Sequence, residues 1–318
     1  MKVVVVGAGA VGGYYGAVLA KSGEEVSLIA KGPHVKTMRE KGLRVESVPG
    51  DFFLPARSFR ASEDPAEVGP VDLIFFSVKT YDTEAAARSL PALLGPGTAI
   101  LTVQNGVDNA DRILRALAPR TPPVLPGAVY IEATLKAPGH IVQSGGTRRL
   151  VFGELNGQRT QRAEAILRCL ERAGVPCELV PDIEEALWAK FLFICPLSGL
   201  TAITGRGLRA LLDLPETRDL FVGAIREVEA VARARGVRLS KDAFEKTLAF
   251  AEGLQDMRSS LQKDLEAGRP LEIESLSGAM VRLGREAGVS TPIHRVLYAC
   301  LKAQDPGGES QSRGGLNP

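Results

Sequence analysis

The sequence predicts an α/β domain built on a parallel sheet, followed by a domain of helices alone. Three observations support that prediction. Four consecutive valines, Val3 to Val6, form a β-branched apolar run of the kind buried on both faces of a parallel sheet. Gly7, Gly9 and Gly12 follow at once in the spacing G-x-G-x-x-G, and a small-residue helical segment then leads to a second strand at residues 25–30. Strand, glycine turn, helix and second strand together distinguish a doubly wound dinucleotide-binding (Rossmann) turn from a glycine-rich loop. The third observation is a change of texture. Beyond Pro181-Asp182 the apolar patterns have helical period, and none resembles a strand.

The chain has 318 residues, enough for about two domains. The expected division is 1–181, 182–303 and a disordered tail at 304–318, rich in Gly, Ser and Pro. A net charge of +2 makes no electrostatic case for a nucleic-acid or membrane partner. Cys169, Cys177, Cys195 and Cys300 form no C-x-x-C pair, so they read as thiols of a reducing compartment rather than a disulfide framework, and no metal site is expected. No uninterrupted apolar run approaches membrane-spanning length, and no charged n-region with a cleavage site opens the sequence. The cytoplasm is the expected location.

In chain order, residues 2–6 are the first strand and residues 10–22 the first helix, stopped by Gly23. Gly7 permits the turn out of the strand, Gly9 lets backbone approach a pyrophosphate, and Gly12 lets the helix lie close to the sheet. The backbone of Gly7, Ala8, Gly9, Ala10, Val11 and Gly12, with the helix dipole, would face the phosphates. The second strand ends in Lys31-Gly32-Pro33-His34. A dinucleotide fold brings the adenosine ribose here, where an acid suits the 2′-hydroxyl of NAD and a base the 2′-phosphate of NADP. No acid follows the strand; Lys31, with His34 and Lys36 nearby, predicts NADP(H), and a solvated loop lysine is the alternative.

Residues 33–41 read as a helix closed by Gly42, and residues 43–47, 52–56 and 59–61 as short strands. Residues 71–78 are a second buried strand with Lys79 at its carboxyl end, where open α/β sheets bind ligands. A helix at 81–93 and a strand at 98–103 follow, then Gln104-Asn105-Gly106, a sharp turn on the same rim. Alone, Asn105 is an ordinary turn residue; three polar features on one rim form a candidate site. A helix at 110–117, an irregular proline-rich stretch at 119–126, strands at 127–135, 140–144 and 150–153, a helix at 159–173 and a strand at 177–180 complete this domain. Helices are expected at 183–193, 209–214, 216–235, 241–254, 273–287 and 291–303.

A substrate cleft is expected between the two domains. Lys190 is the only charge between Glu185 and Arg206. Poor solvation would favour its neutral form and lower its pKa, which suits a proton donor near neutrality. A lysine snorkelling at the edge of the core fits the same residues. Ser260 and Asp264, four apart, share a helical face. Ser259-Ser260 can equally cap a helix, and Glu272 and Glu274 can equally be first-turn acids.

From about residue 1 to residue 303 the sequence resembles the ketopantoate reductase (2-dehydropantoate 2-reductase) family. The family's glycine turn, lysine-ended strand, Q-N-G turn, W-x-K helix and S-S-x-x-x-D…E segment appear as Gly7 to Gly12, Val78-Lys79, Gln104-Asn105-Gly106, Trp188-Ala189-Lys190 and Ser259-Ser260…Asp264…Glu272. The resemblance implies a Rossmann domain, an all-α C-terminal domain like those of 6-phosphogluconate-dehydrogenase relatives, NADPH as hydride donor and a small 2-oxo acid as substrate. It makes Lys190 the general acid, and Glu272 the group that orients substrate and lysine and also contacts the cofactor. Ser260 becomes a substrate ligand, with Asp264 and Ser198 on the substrate side. Asn105 and Lys79 line the junction of nicotinamide and substrate, and Lys31 meets the 2′-phosphate.

Four and eight residues after the lysine the family carries asparagines that bind the substrate's polar groups. This sequence has Ile194 and Ser198 there, and the stretch Gly205-Arg206-Gly207-Leu208 lacks a further asparagine. That departure predicts weaker discrimination for the family's substrate. The expected activity is reduction of 2-dehydropantoate to pantoate, a step of pantothenate biosynthesis. The alternatives are a paralogous NADPH-dependent reductase of a different 2-oxo acid, such as a more apolar one, or of a related carbonyl, and a dinucleotide-binding regulator without catalysis, which would need none of Lys190, Glu272 and Ser260. A homodimer through the helical domain, by a face containing Phe244, Leu248 and Ala251, is a further expectation.

Overall fold

The computed structural model describes residues 1–307. Its first elements are β1 (Lys2–Val6), α1 (Ala10–Lys21), β2 (Glu25–Ile29), α2 (Gly32–Lys41), β3 (Leu43–Ser47), β4 (Phe52–Leu54), β5 (Arg60–Ser62) and β6 (Leu73–Phe76). Next come α3 (Thr83–Arg88), β7 (Ala99–Thr102), α4 (Asn109–Leu117), β8 (Val124–Ala137), β9 (His140–Phe152), α5 (Gln161–Arg172) and β10 (Cys177–Leu179). The remainder is helical: α6 (Ile183–Thr204), α7 (Leu208–Asp213), α8 (Pro215–Ala234), α9 (Ala243–Gly253), α10 (Ser260–Glu266), α11 (Ser277–Ala287) and α12 (Pro292–Lys302).

All ten strands join one sheet, ordered β4-β3-β9-β8-β7-β6-β1-β2-β5, with β10 beside β9. The segment from β5 to β8 is parallel throughout, and β1 lies at its centre, with Val6 paired to Ile29 on one side and Phe76 on the other. The valine run supplies both faces, because alternate side chains point opposite ways. Val3 and Val5 enter a core with Tyr15 of α1, Met38 of α2 and Ile166 of α5. Val4 and Val6 enter another with Ala87 of α3 and Ile113 of α4. This is a Rossmann-type domain with an all-helical domain after it. By compactness the chain divides into residues 1–104 with 109–183, and residues 105–108 with 184 onward. The loop segment Asn105–Asp108 therefore belongs with the helices.

Several elements differ from the sequence reading. The helix expected at 81–93 is a 3-10 turn, a short α3 and a second 3-10 turn at Leu90–Leu93, because Pro91 disfavours helical backbone before it. The strands expected at 140–144 and 150–153 are one continuous β9, and β8 begins at Val124 inside the stretch read as irregular, with Pro126 opposite Thr102 at the join between the parallel and antiparallel parts. The helix expected to stop at residue 193 runs on through Pro196 to Thr204. Almost every residue from Phe191 to Ala202 is buried, so packing outweighs the missing backbone donor. Lys190 and Pro196 thus do not interrupt the run. Among the described residues α6 alone is long and apolar enough to cross a membrane, and 72% of its apolar window is buried inside the protein, as in a core helix. Residues 304–307, expected in the tail, form a turn in which the Asp305 carboxylate accepts from Leu271 N–H at 3.0 Å. The rest of that tail, 308–318, lies outside the described residues.

Candidate active site

The glycine turn is packed tightly at two glycines and open at the third. Gly7 has φ +93°, and a Cβ there would lie 2.5 Å from Val78 N. A Cβ on Gly12 would lie 2.1 Å from Ser77 Oγ, which already donates to Gly7 O at 3.0 Å. Helix α1 is thereby held against the carboxyl ends of β1 and β6. Nothing lies within 4 Å of a Cβ position on Gly9, and no side chain caps α1. Gly9 N–H turns back to Gly7 O at 2.7 Å, and the space over Gly9 at the N-terminus of α1 is open, which fits a pyrophosphate against the backbone of Ala10 and Val11. The turn would suit the pyrophosphate of a nicotinamide dinucleotide, whichever 2′ substituent it carries.

Lys31 is exposed and directly precedes α2. His34, three residues on, turns its ring inward rather than toward Lys31's exposed surface. It is buried, and its Nδ1 accepts from Gly139 N–H at 2.9 Å while Nε2 lies 2.9 Å from Ala8 O. The first bond requires an unprotonated Nδ1, so Nε2 carries the proton and donates to Ala8. Burial pushes the imidazole pKa down, in keeping with this neutral tautomer. His34 therefore ties α2 to the glycine turn. Lys79 is exposed at the carboxyl end of β6. Gln104 braces the backbone beside it: its Nε2 donates to Val78 O at 2.9 Å and to Thr83 Oγ1 at 2.8 Å.

In the helical unit, Lys190 Nζ donates to Asn105 Oδ1 at 2.7 Å. Burial holds the Lys190 pKa down, at about 8, and the negative charge of Glu272 partly opposes that fall. Lys190, Asn105 and Glu272 are thus brought together from α6, the β7–α4 connection and the residue before a 3-10 turn at Ile273–Ser275. Trp188 is core: it is 4% exposed and meets Phe191 edge-on. On α6 beyond Lys190, Ile194 is half-buried and Ser198 buried.

The serine pair divides its roles. Ser259 is buried and caps α10, accepting from Gln262 N–H at 3.1 Å. Ser260 is the exposed first residue of that helix. Asp264 is buried and accepts from Arg269 Nε at 2.8 Å. Glu274 is held by Tyr298 Oη and Lys302 Nζ, each at 2.8 Å, which leaves Glu272 as the acid facing Lys190.

Two features have no short-range sequence signal. Asp108 is buried and pairs with Arg282 of α11, 174 residues away. Glu63 Oε1 accepts from Gly32 N–H at 2.9 Å, beside Lys31. Each depends on a tertiary neighbour that spacing alone cannot supply.

The family model described as Ketopantoate reductase PanE/ApbA matches residues 3–157, and the model of that family's C-terminal part matches residues 182–305. A 2-dehydropantoate 2-reductase of Halobacterium salinarum is 31% identical over 298 residues, covering 93% of this chain and 96% of its own. One of Archaeoglobus fulgidus is 31% identical over 306 residues, covering 96% of this chain and 98% of its own. A crystal structure of a PanE/ApbA family ketopantoate reductase from Ralstonia eutropha JMP134 matches with a TM-score of 0.88 at 35% identity, over 97% of this chain and 100% of that one.

Proposed function

The chain belongs to the ketopantoate reductase family, and from that premise we propose that it is an NADPH-dependent reductase of a small 2-oxo acid, with 2-dehydropantoate the first candidate. It is an oxidoreductase family that uses a nicotinamide dinucleotide and a small 2-oxo acid. The observation that most supports a catalytic reading is the hydrogen bond from a desolvated Lys190 to Asn105, with Glu272 acting on the same ammonium.

When bound, the dihydronicotinamide supplies a hydride to carbon 2. The Gly7–Gly12 turn would hold its pyrophosphate, and Lys31 and Lys79 would flank the nucleotide. Lys190 gives a proton to the carbonyl oxygen as charge develops there, and its positive charge stabilises the incipient alkoxide. A pKa of about 8 keeps it protonated at neutral pH yet close enough to neutrality to release the proton. Asn105 Oδ1 fixes the direction of the ammonium, and Glu272 favours its charged form. Ser260, Asp264 and Ser198 complete the proposed substrate side.

A second reading, reduction of a more apolar 2-oxo acid, is favoured by Ile194 and Ser198 in place of amides. The proposed setting is cytoplasmic. The proposed homodimer contact lies on the helical unit. On the expected face Ala251 is core, Phe244 and Leu248 are half-buried, and the neighbouring Phe250 is 54% exposed.

Steady-state kinetics over a panel of 2-oxo acids with NADPH test both readings, and 2-dehydropantoate should give the highest kcat/KM. An advantage for a bulkier apolar acid would select the second reading. Lys190→Ala should lower kcat by about a thousandfold while NADPH still binds; near-normal turnover would remove Lys190 from its assigned role.

A further inference from the structure

The sequence shows no acid at the end of β2, but the sheet brings one there from the next strand. Strands β2 and β5 run parallel, with Ile29 opposite Ser62. Ala30 N–H donates to Ser62 O at 3.1 Å, so the two chains leave the sheet side by side. The next residues are Lys31 on one chain and Glu63 on the other. Glu63 Oε1 accepts from Gly32 N–H at 2.9 Å, at the first residue of α2. Both side chains are exposed. The place is fixed relative to the glycine turn, because Gly7 and Ala8 N–H both donate to Ile29 O and His34 of α2 bonds Ala8 O.

A dinucleotide lying on the glycine turn presents its adenosine 2′ substituent to this place. The 2′-hydroxyl of NAD is a donor and gains from a carboxylate acceptor. The 2′-phosphate of NADP carries nearly two negative charges; it gains from Lys31 but meets the like charge of Glu63 and finds Gly32 N–H already taken. The opposed residues Lys31 and Glu63 therefore act on one substituent with opposite sign.

We propose that Glu63 is a coenzyme-discriminating residue: seated on Gly32 N–H, it accepts from a 2′-hydroxyl and opposes a 2′-phosphate, so that the chain binds NADH alongside NADPH. Lys31 sets the opposite preference. The proposal rests on the nucleotide reading of the glycine turn given under Proposed function, and it goes beyond that reading in assigning dual coenzyme use to one carboxylate.

Calorimetric titration of the full chain with ADP-ribose and with 2′-phospho-ADP-ribose reads the discrimination without turnover. The unmodified protein should bind both fragments, with affinities within about tenfold of each other. Glu63→Gln, a change at an exposed side chain, should shift the ratio of the two dissociation constants by about tenfold toward the phosphorylated fragment, and the shift should shrink in high salt. Lys31→Glu should shift it about as far the other way. A ratio that moves less than twofold in Glu63→Gln, while both fragments still bind, overturns the role of Glu63 and leaves the nucleotide site standing. Binding of only one fragment by the unmodified protein overturns the dual use, and failure of both fragments to bind overturns the nucleotide reading and this proposal with it.

Discussion

Lys190 holds an ammonium group where water solvates it poorly, and that placement has a thermodynamic signature. Its pKa in the folded chain is about 8, below the ordinary value of 10.5. Between those values the unfolded chain binds more protons than the folded one, so Lys190's contribution to stability rises with pH across that window; below pH 8 both states are charged and the burial penalty is fully present. Lys190→Met removes the penalty and keeps the aliphatic stem. Urea unfolding should find the variant more stable than the parent by about 1 kcal/mol at pH 7, with the gap narrowing by pH 10. A less stable variant at pH 7, or a gap that ignores pH, would mean that Lys190 is comfortably solvated. Legibility at this scale was uneven. The solitary charge of Lys190 in an apolar segment was visible in the sequence. The bonds of His34 to Ala8 and Gly139 were not, because the second partner lies 105 residues away.

At the scale of elements, the four residues Asn105–Asp108 matter more than their length suggests. They connect β7 to α4 yet cluster with the helices. Val107 packs against the helical core, and Asp108, buried, pairs with Arg282 of α11. Asn105, which accepts from Lys190, is carried by this anchored segment. Arg282 should therefore support catalysis through the position of Asn105, and a double-mutant cycle separates that from general stability. Arg282→Met should lower kcat about tenfold in the parent but less than about twofold when Asn105 is already alanine. Equal losses in both backgrounds would show that Arg282 acts independently of Asn105. The Q-N-G turn was legible as a turn on the sheet's rim. Its attachment to α11 was not, since an acid and an arginine at that separation form no periodic pattern.

At the scale of the whole molecule, the two kinds of apolar periodicity separate the chain into the two kinds of core observed. The sheet cores gather Val3 to Val6, Phe75 and Phe76; the helical core gathers Phe191, Phe221 and Met280. Strand runs and amphipathic helices were therefore legible, whereas Pro91 and Pro196 show the limit of local rules: the first ends a helix and the second lies inside one. The separation of cores also makes an energetic statement. ADP-ribose contains the half of the nucleotide that the glycine turn and the end of β2 would hold, and none of the nicotinamide. A ligand at one hundred times its dissociation constant adds about 2.7 kcal/mol to the stability of the state that binds it. The gain expected from Lys190→Met arises in the other core. Perturbations without shared partners add to within about 0.5 kcal/mol. Urea titrations of the parent and of Lys190→Met, each with and without ADP-ribose, should therefore give additive free energies. A coupling of more than about 1 kcal/mol would show that the adenosine end of the nucleotide and the Lys190 site bias each other, and that the two units are thermodynamically one.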